Sequence, residues 1–399
     1  MSEATENLGP AMPSGSPSWD TLLGIALDAL RIVPPLYASS IFGLPWTWLP
    51  PFSRYSEFKI IDLWRLRRTV RFLVNTWIPS IPRTPPSFGP PCLNGLFWQP
   101  TVILQRPDHN GSYTTFPDEA WFFVNGIMTN DAVAQVNTAY LAQLFHRSLT
   151  MIQNSTDSLW ADLFECALGK EWYRVVEPAI KAFPPIYDAL KSTHKQRVVV
   201  ICHSQGTIIM STVLRLLASL APVEVRLAHL AAAMEPTPEP AARGLFEEAP
   251  RYAPPEFVYP DQEPINLDDF EPLTGAELAK LEVYCFANCA NTMPYIGAWD
   301  GRPVPWIENF GNERDIVARL GMLAPRADHW CIDIAGPRYE HRGAWGHMLN
   351  EHYLAAIERY QKSGRRPGGD GSAAPYELVG GKADDAPRLF GYINGGVPN

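Results

Sequence analysis

Arg197-Val-Val-Val-Ile-Cys-His-Ser-Gln-Gly-Thr-Ile-Ile-Met210 is the stretch on which the fold is decided. A β-branched run, 198–201, stops abruptly at Cys202-His203-Ser204-Gln205-Gly206, and an apolar helical pattern, TIIMSTVLRLLASL, follows at once. The order is strand, sharp turn, helix, with a serine at the turn. A serine held there projects Oγ away from the sheet, where a base can reach it. The helix beneath it offers unpaired N–H groups and the positive end of its dipole. Small residues two before and two after the serine let strand and helix approach closely. Gly206 meets that need, and Cys202 stands where glycine is usual, small enough for the turn to survive. The plainer alternative is a helix N-cap serine after a buried strand.

Working outward, strands and helices alternate from about residue 100, which predicts a mostly parallel sheet. Candidate strands are 101–105, 120–124, 149–153, 197–202, 226–232, 282–287 and 305–309. Candidate helices lie near 131–146, 157–167, 171–192, 205–220, 314–321 and 347–361. Residues 235–275 carry nine prolines and break the alternation, so they read as an insertion able to form a lid. The expected organisation is a disordered leader at 1–18 and a helical, Pro-rich accessory region at 19–99. The main domain spans 100–362, and a Gly/Pro-rich tail at 363–399 wraps or dangles.

The elbow and the alternation around it resemble the α/β-hydrolase superfamily, especially lipases and esterases with a His-Ser-Gln-Gly turn. The resemblance covers about residues 100–360. It implies an α/β fold with a mainly parallel central sheet, helices on both faces, and a triad in the order serine, acid, histidine. It does not specify the substrate.

A serine hydroxyl needs a base, and the base needs an acid to hold it. After Ser204, an apolar strand ending at Asn309 leads through a Gly-containing loop to Asp315, which precedes a short helix. Asp315 is the expected acid; Glu308, Glu313 and Asp300 are its rivals, and a helix-start anion is the plainer reading. His347 follows a Gly-rich turn, Arg342-Gly-Ala-Trp-Gly-His, and opens an amphipathic helix. It is the expected base, with His341 and His352 as alternatives. His347 and His352 are about 140° apart around a helix, so they do not share a metal-binding face. His203 is expected to pack behind the elbow. The oxyanion needs two backbone donors. One should be Gln205. The other should come from Asn125-Gly126-Ile127, after the apolar strand AWFFV, with Ile127 as donor and Met128 as the alternative; an Asn-Gly turn before a capped helix is the plainer reading. The triad should meet at the C-terminal edge of the sheet.

Composition narrows the partners. The chain has 399 residues and a formal charge of −9, which argues against nucleic acid as a global partner. Its six cysteines show no CxxC pair, so neither a disulfide scaffold nor a metal site is expected, and Cys285 and Cys289 lack a second ligand pair. No cofactor is called for. The polar N-terminus shows no secretory signal, so the sequons at Asn110 and Asn154 read as accidental and the expected location is cytoplasmic or peripheral to a membrane. The basic amphipathic stretch 56–78 fits an accessory helix packed on the main domain, the favoured reading, or a helix lying on an anionic membrane surface, with peripheral contact through 19–78. The expected partner is a small or lipid-like ester. A thioesterase, acyltransferase or amidase would use the same triad, and a non-catalytic binding protein could use the same fold.

Overall fold

The computed structural model describes residues 53–57, 102–106, 113, 115–126, 129, 131–154, 177–226, 265–324, 332–362, 376–379 and 386–398. The expected leader, nearly all of the accessory region and most of the insertion lie outside them, as do the candidate helix 157–167, Asn110, Ile127 and Met128.

Eight strands form one sheet: β1 (Val102–Arg106), β2 (Glu119–Val124), β3 (Leu149–Gln153), β4 (Arg197–His203), β5 (Leu281–Phe286), β6 (Trp306–Asn312), β7 (Arg338–His341) and β8 (Glu377–Leu378). Their spatial order is β1-β3-β2-β4-β5-β6-β7-β8. Only the two edge pairings, β1 with β3 and β8 with β7, are antiparallel. The other five pairings are parallel. A parallel centre must be covered on both faces, which is why β4 reads as an unbroken apolar run. Val198, Val199, Val200 and Ile201 are all fully buried, each contributing about 1.5–3 kcal/mol over an exposed side chain.

The helices α1 (Asp131–Phe145), α2 (Glu177–Lys191) and α3 (Gln205–Ser219) make the crossovers. The step from β2 to β3 runs one way along the sheet, and those from β3 to β4 and β4 to β5 run the other. With right-handed crossovers, α1 covers one face and α2 and α3 the other. Accordingly α2 packs on α3, while α1 packs on a π-helical turn, Leu349–Leu354, and on a 3-10 segment, Arg388–Gly395. The π turn leads into α4 (Ala355–Lys362). This is the α/β-hydrolase fold.

Three sequence expectations change. Residues 223–226 are helical, so the candidate strand 226–232 does not begin where its apolar pattern suggested; the rest of that candidate is not among the described residues. β6 continues through Gly311 to Asn312 instead of ending at Asn309. Gly311 stays in the strand, paired with Glu340 of β7, and the ends of the Leu323 and Met322 side chains pack against it. The helix after His347 starts two residues later, at Leu349.

The tail does not dangle at 386–398. Its polar anchors sit at the N-terminal edge of the strands. Glu282 accepts from the hydroxyls of Tyr284 and Tyr392, both at 2.6 Å, and from Arg388 at 3.1 Å. Glu308 accepts from the Arg388 and Leu389 N–H groups at 2.7 and 3.1 Å. Arg147 reaches the Gly396 carbonyl at 2.9 Å while paired with Glu119 at 2.6 Å.

Residues 53–57 dock on α1 and on the π turn. The Tyr55 ring stacks on Tyr140 at 4.7 Å. Glu57 accepts from the Asn350 and Glu351 N–H groups at 2.9 and 3.4 Å, and Glu351 accepts from the Ser56 hydroxyl at 2.5 Å and the Glu57 N–H at 3.1 Å. Burial, with the neighbouring Glu351 charge, pushes the Glu57 carboxyl from 4.5 up to about 7. A carboxyl with a raised folded pKa loses stability for the protein as pH rises between those two values. Glu57→Gln cannot ionise. Its stability gain over the wild type should be absent at pH 4.5, grow to neutrality and level off above it, reaching at most about 3 kcal/mol. Urea unfolding at pH 4.5 and pH 8 measures this; a gain that shrinks as pH rises would refute it.

Candidate active site

β4 delivers the nucleophile candidate. Ser204 follows its last residue with φ 56° and ψ −126°, a conformation that costs on the order of 1–3 kcal/mol and persists only where surrounding structure enforces it. Two glycines make room for it. A Cβ on Gly206 would lie 2.4 Å from the Val124 carbonyl oxygen, so only glycine lets α3 begin so close to β2. A Cβ on Gly126 would lie 2.6 Å from Ser204 Cβ, so the loop after β2 passes directly over the serine. Ser204 forms no side-chain cap for α3. Its Oγ instead lies 2.9 Å from His347 Nε2. The plain N-cap alternative therefore does not describe this serine.

His347 sits in the loop between β7 and the π turn, its side chain about a quarter exposed. Its Nδ1 faces Asp315, at 2.9 Å from Oδ2 and 3.1 Å from Oδ1. A carboxylate can only accept, so Nδ1 carries the proton and Nε2 is free to accept from Ser204. Asp315 follows the C-terminal end of β6 and is fully buried. It caps the short helix Ile316–Arg319 by accepting from the Val317 N–H at 2.8 Å, so the helix-start reading and the acid reading describe the same carboxylate. The Tyr353 hydroxyl also donates to its Oδ2, at 2.5 Å. Burial alone would raise the Asp315 pKa, but the charge and hydrogen bond of His347, with the Tyr353 and Val317 donors, hold it below its ordinary 3.8. The rivals are engaged elsewhere. Glu308 is at the far edge holding the tail, Glu313 accepts from the Gly343 N–H, and Asp300 follows Trp299 in the turn of a small hairpin. His341 packs on Tyr376, and His352 accepts from the Met348 N–H at 3.0 Å.

Gln205 opens α3, with its backbone N–H at the positive end of the helix beside Ser204. Its position is fixed by a buried network that the sequence did not reveal. Asn154, after β3, donates to the Gln205 side-chain carbonyl at 2.6 Å. Asn125, after β2, donates to the Asn154 carbonyl and accepts from its N–H, both at 2.8 Å. Three strand ends are thus tied together behind the elbow. The Asn154 side chain is buried in this network. Cys202 points into the sheet, 3.5 Å from Cys285 Sγ, and burial pushes its thiol pKa well up. It is a packing residue beneath the elbow.

Among the described residues no cluster of three or more His, Cys, Asp or Glu is arranged to hold a metal ion, and no helix is long and apolar enough to cross a membrane. No family model matches the chain, and no curated protein does. Among solved structures, a "putative esterase" from Staphylococcus aureus is similar at 11% identity and TM-score 0.29, covering 62% of this chain and 76% of the other. A carboxyl esterase 2 from the mycorrhizal fungus Tuber melanosporum is similar at 11% identity and TM-score 0.30, covering 66% and 82%. Likeness this loose carries no argument about activity, so the chemistry is read from the residues.

Proposed function

We propose that this chain is a serine hydrolase that cleaves a carboxylic ester through an acyl-enzyme on Ser204. One observation carries the reading: an unbroken line of hydrogen bonds from Ser204 Oγ through both nitrogens of His347 to the buried carboxyl of Asp315. That line can move a proton. His347 Nε2 takes the Oγ proton as Oγ attacks the acyl carbonyl, and Asp315 stabilises the imidazolium and keeps its orientation. The oxyanion develops toward the Gln205 N–H, and the second donor in this reading is the Ile127 N–H, which follows Gly126 in the loop over the serine. His347 then gives its proton to the leaving alcohol. Water, activated by the same imidazole, hydrolyses the acyl-enzyme and restores Ser204.

The substrate in this reading is a small or lipid-like ester. The test is labelling with a fluorophosphonate, followed by mass spectrometry of the digest. The wild type should gain one phosphonyl group, on the peptide containing Ser204, and Ser204→Ala should gain none. A wild type that neither takes the label nor turns over an activated ester would favour a non-catalytic binding protein on this fold.

A further inference from the structure

Behind the triad stands a histidine that the proposed mechanism does not use. His203 is the last residue of β4, peptide-bonded to Ser204 and buried. Its Nε2 lies 2.8 Å from the main-chain carbonyl oxygen of His347. Its ring stacks on the His347 ring, with centroids 4.7 Å apart and planes 29° apart, and it also meets Tyr353 edge-on at 6.1 Å. Tyr353 is the residue whose hydroxyl holds Asp315. His203 is therefore wedged between the base and the group that orients the acid.

We propose that His203 is a positioning residue whose Nε2–H holds the His347 main chain at the distance from Ser204 that proton transfer requires. The proposal rests on the reading of Ser204 and His347 as nucleophile and base. The geometry is a closed ring. One peptide bond joins His203 to Ser204, the Ser204 Oγ meets His347 Nε2, and the His347 carbonyl returns to His203. Base and nucleophile come from segments 143 residues apart, yet their separation is set by this short circuit and not by the length of loop between them.

The proton inventory agrees. A carbonyl only accepts, so the bonded nitrogen of His203 must carry a hydrogen. Burial first, then the His347 charge, push the His203 pKa down to about 3, with Asp315 opposing in part. The ring is neutral at neutral pH, with its one proton on Nε2. A second cation stacked against His347 would oppose the imidazolium that forms in the reaction, and burial prevents one. Two further side chains pin the same loop. Asn312 donates to the Gly346 carbonyl at 3.0 Å, and His352 accepts from the Met348 N–H. Residues 346, 347 and 348 are each tied down by one buried side chain, and only the tie at 347 leads directly back to the nucleophile.

Two variants separate the hydrogen bond from the packing. His203→Gln carries an amide N–H the same number of bonds from Cα as Nε2. His203→Phe keeps a flat ring but has no donor. With a p-nitrophenyl ester, His203→Phe should lose about 10- to 100-fold in kcat with KM little changed, the scale of a displaced catalytic group. His203→Gln should recover most of that loss. In imidazole-¹⁵N-labelled protein, the wild type should show His203 as the neutral Nε2–H tautomer, and the His347 Nδ1–H resonance should be sharp and far downfield. That resonance should broaden in His203→Phe and return in His203→Gln. Wild-type kcat in folded His203→Phe, or His203→Gln as impaired as His203→Phe, would overturn the proposal. The spectra serve independently of turnover. An inactive wild type with these signals intact would sink the hydrolase reading alone, and a His203 tautomer protonated on Nδ1 would sink the positioning role alone.

Discussion

Ser204→Ala should lower kcat for a short p-nitrophenyl ester by about 10⁶-fold, the loss typical when a nucleophile that works with a base is removed. Residual turnover should remain, because donors such as the Gln205 N–H survive the substitution. The fold should survive too. Ser204 makes no capping bond to α3, so alanine forfeits only the hydrogen bond from Oγ to His347, worth about 0.5–1.5 kcal/mol. The backbone strain at φ 56° is shared by serine and alanine and cancels in the comparison. A rate assay paired with a melting curve checks both halves. Undiminished activity in folded Ser204→Ala protein would end the serine-hydrolase reading.

Asp315→Asn should cost about 10⁴-fold in kcat while leaving the backbone in place. The asparagine amide would present an N–H to His347 Nδ1 and so favour the tautomer protonated on Nε2. That tautomer donates toward Ser204 Oγ and cannot take its proton. The same substitution has a signature in acid. The Asp315 carboxyl titrates below its ordinary 3.8, so its stabilising contribution is full above that value and is lost as pH falls through the lowered one. Wild-type stability should therefore fall toward that of Asp315→Asn as solutions are taken below pH 3.8, which melting curves along an acid series would follow. If Asp315→Asn keeps wild-type kcat, the acid lies elsewhere. If the wild type shows no extra acid lability, the carboxylate is not held as described.

Two central strands, β2 and β4, were legible because burial on both faces fills most of their length with apolar residues. The run Val198–Cys202 and the run Trp121–Val124 announce themselves in this way. The three residues that meet at the C-terminal edge were legible as a chemical order: a serine at a strand-to-helix turn, an aspartate after a strand, a histidine after a Gly-rich turn. The two short strands at the β8 end of the sheet were not. Arg338–His341 reads RYEH and Glu377–Leu378 is two residues long, so neither carries a periodic signal. The supports of the site were also hidden. Asn125, Asn154 and Gln205 bond across separations of 29 and 51 residues, and Tyr353 reaches Asp315 from 38 residues away. No local pattern marks an asparagine or tyrosine for such work. His203 is ambiguous for the same reason, because a buried histidine at a strand end shows its partner only when the chain has folded.

The anchoring of residues 386–398 matters for how the chain is made. A ribosome releases the strands in sequence order, so β5 and β6 emerge before the segment that satisfies Glu282 and Glu308. Until Arg388, Leu389 and Tyr392 have also left the exit tunnel, the nascent sheet carries two carboxylates at positions the finished fold buries. A buried carboxylate without its donors is expensive, so during synthesis that edge must stay wet or open. The edge bearing Ser204, Asp315 and His347 does not depend on that segment, and the emergence of residues 388–392 is what lets the opposite edge shut.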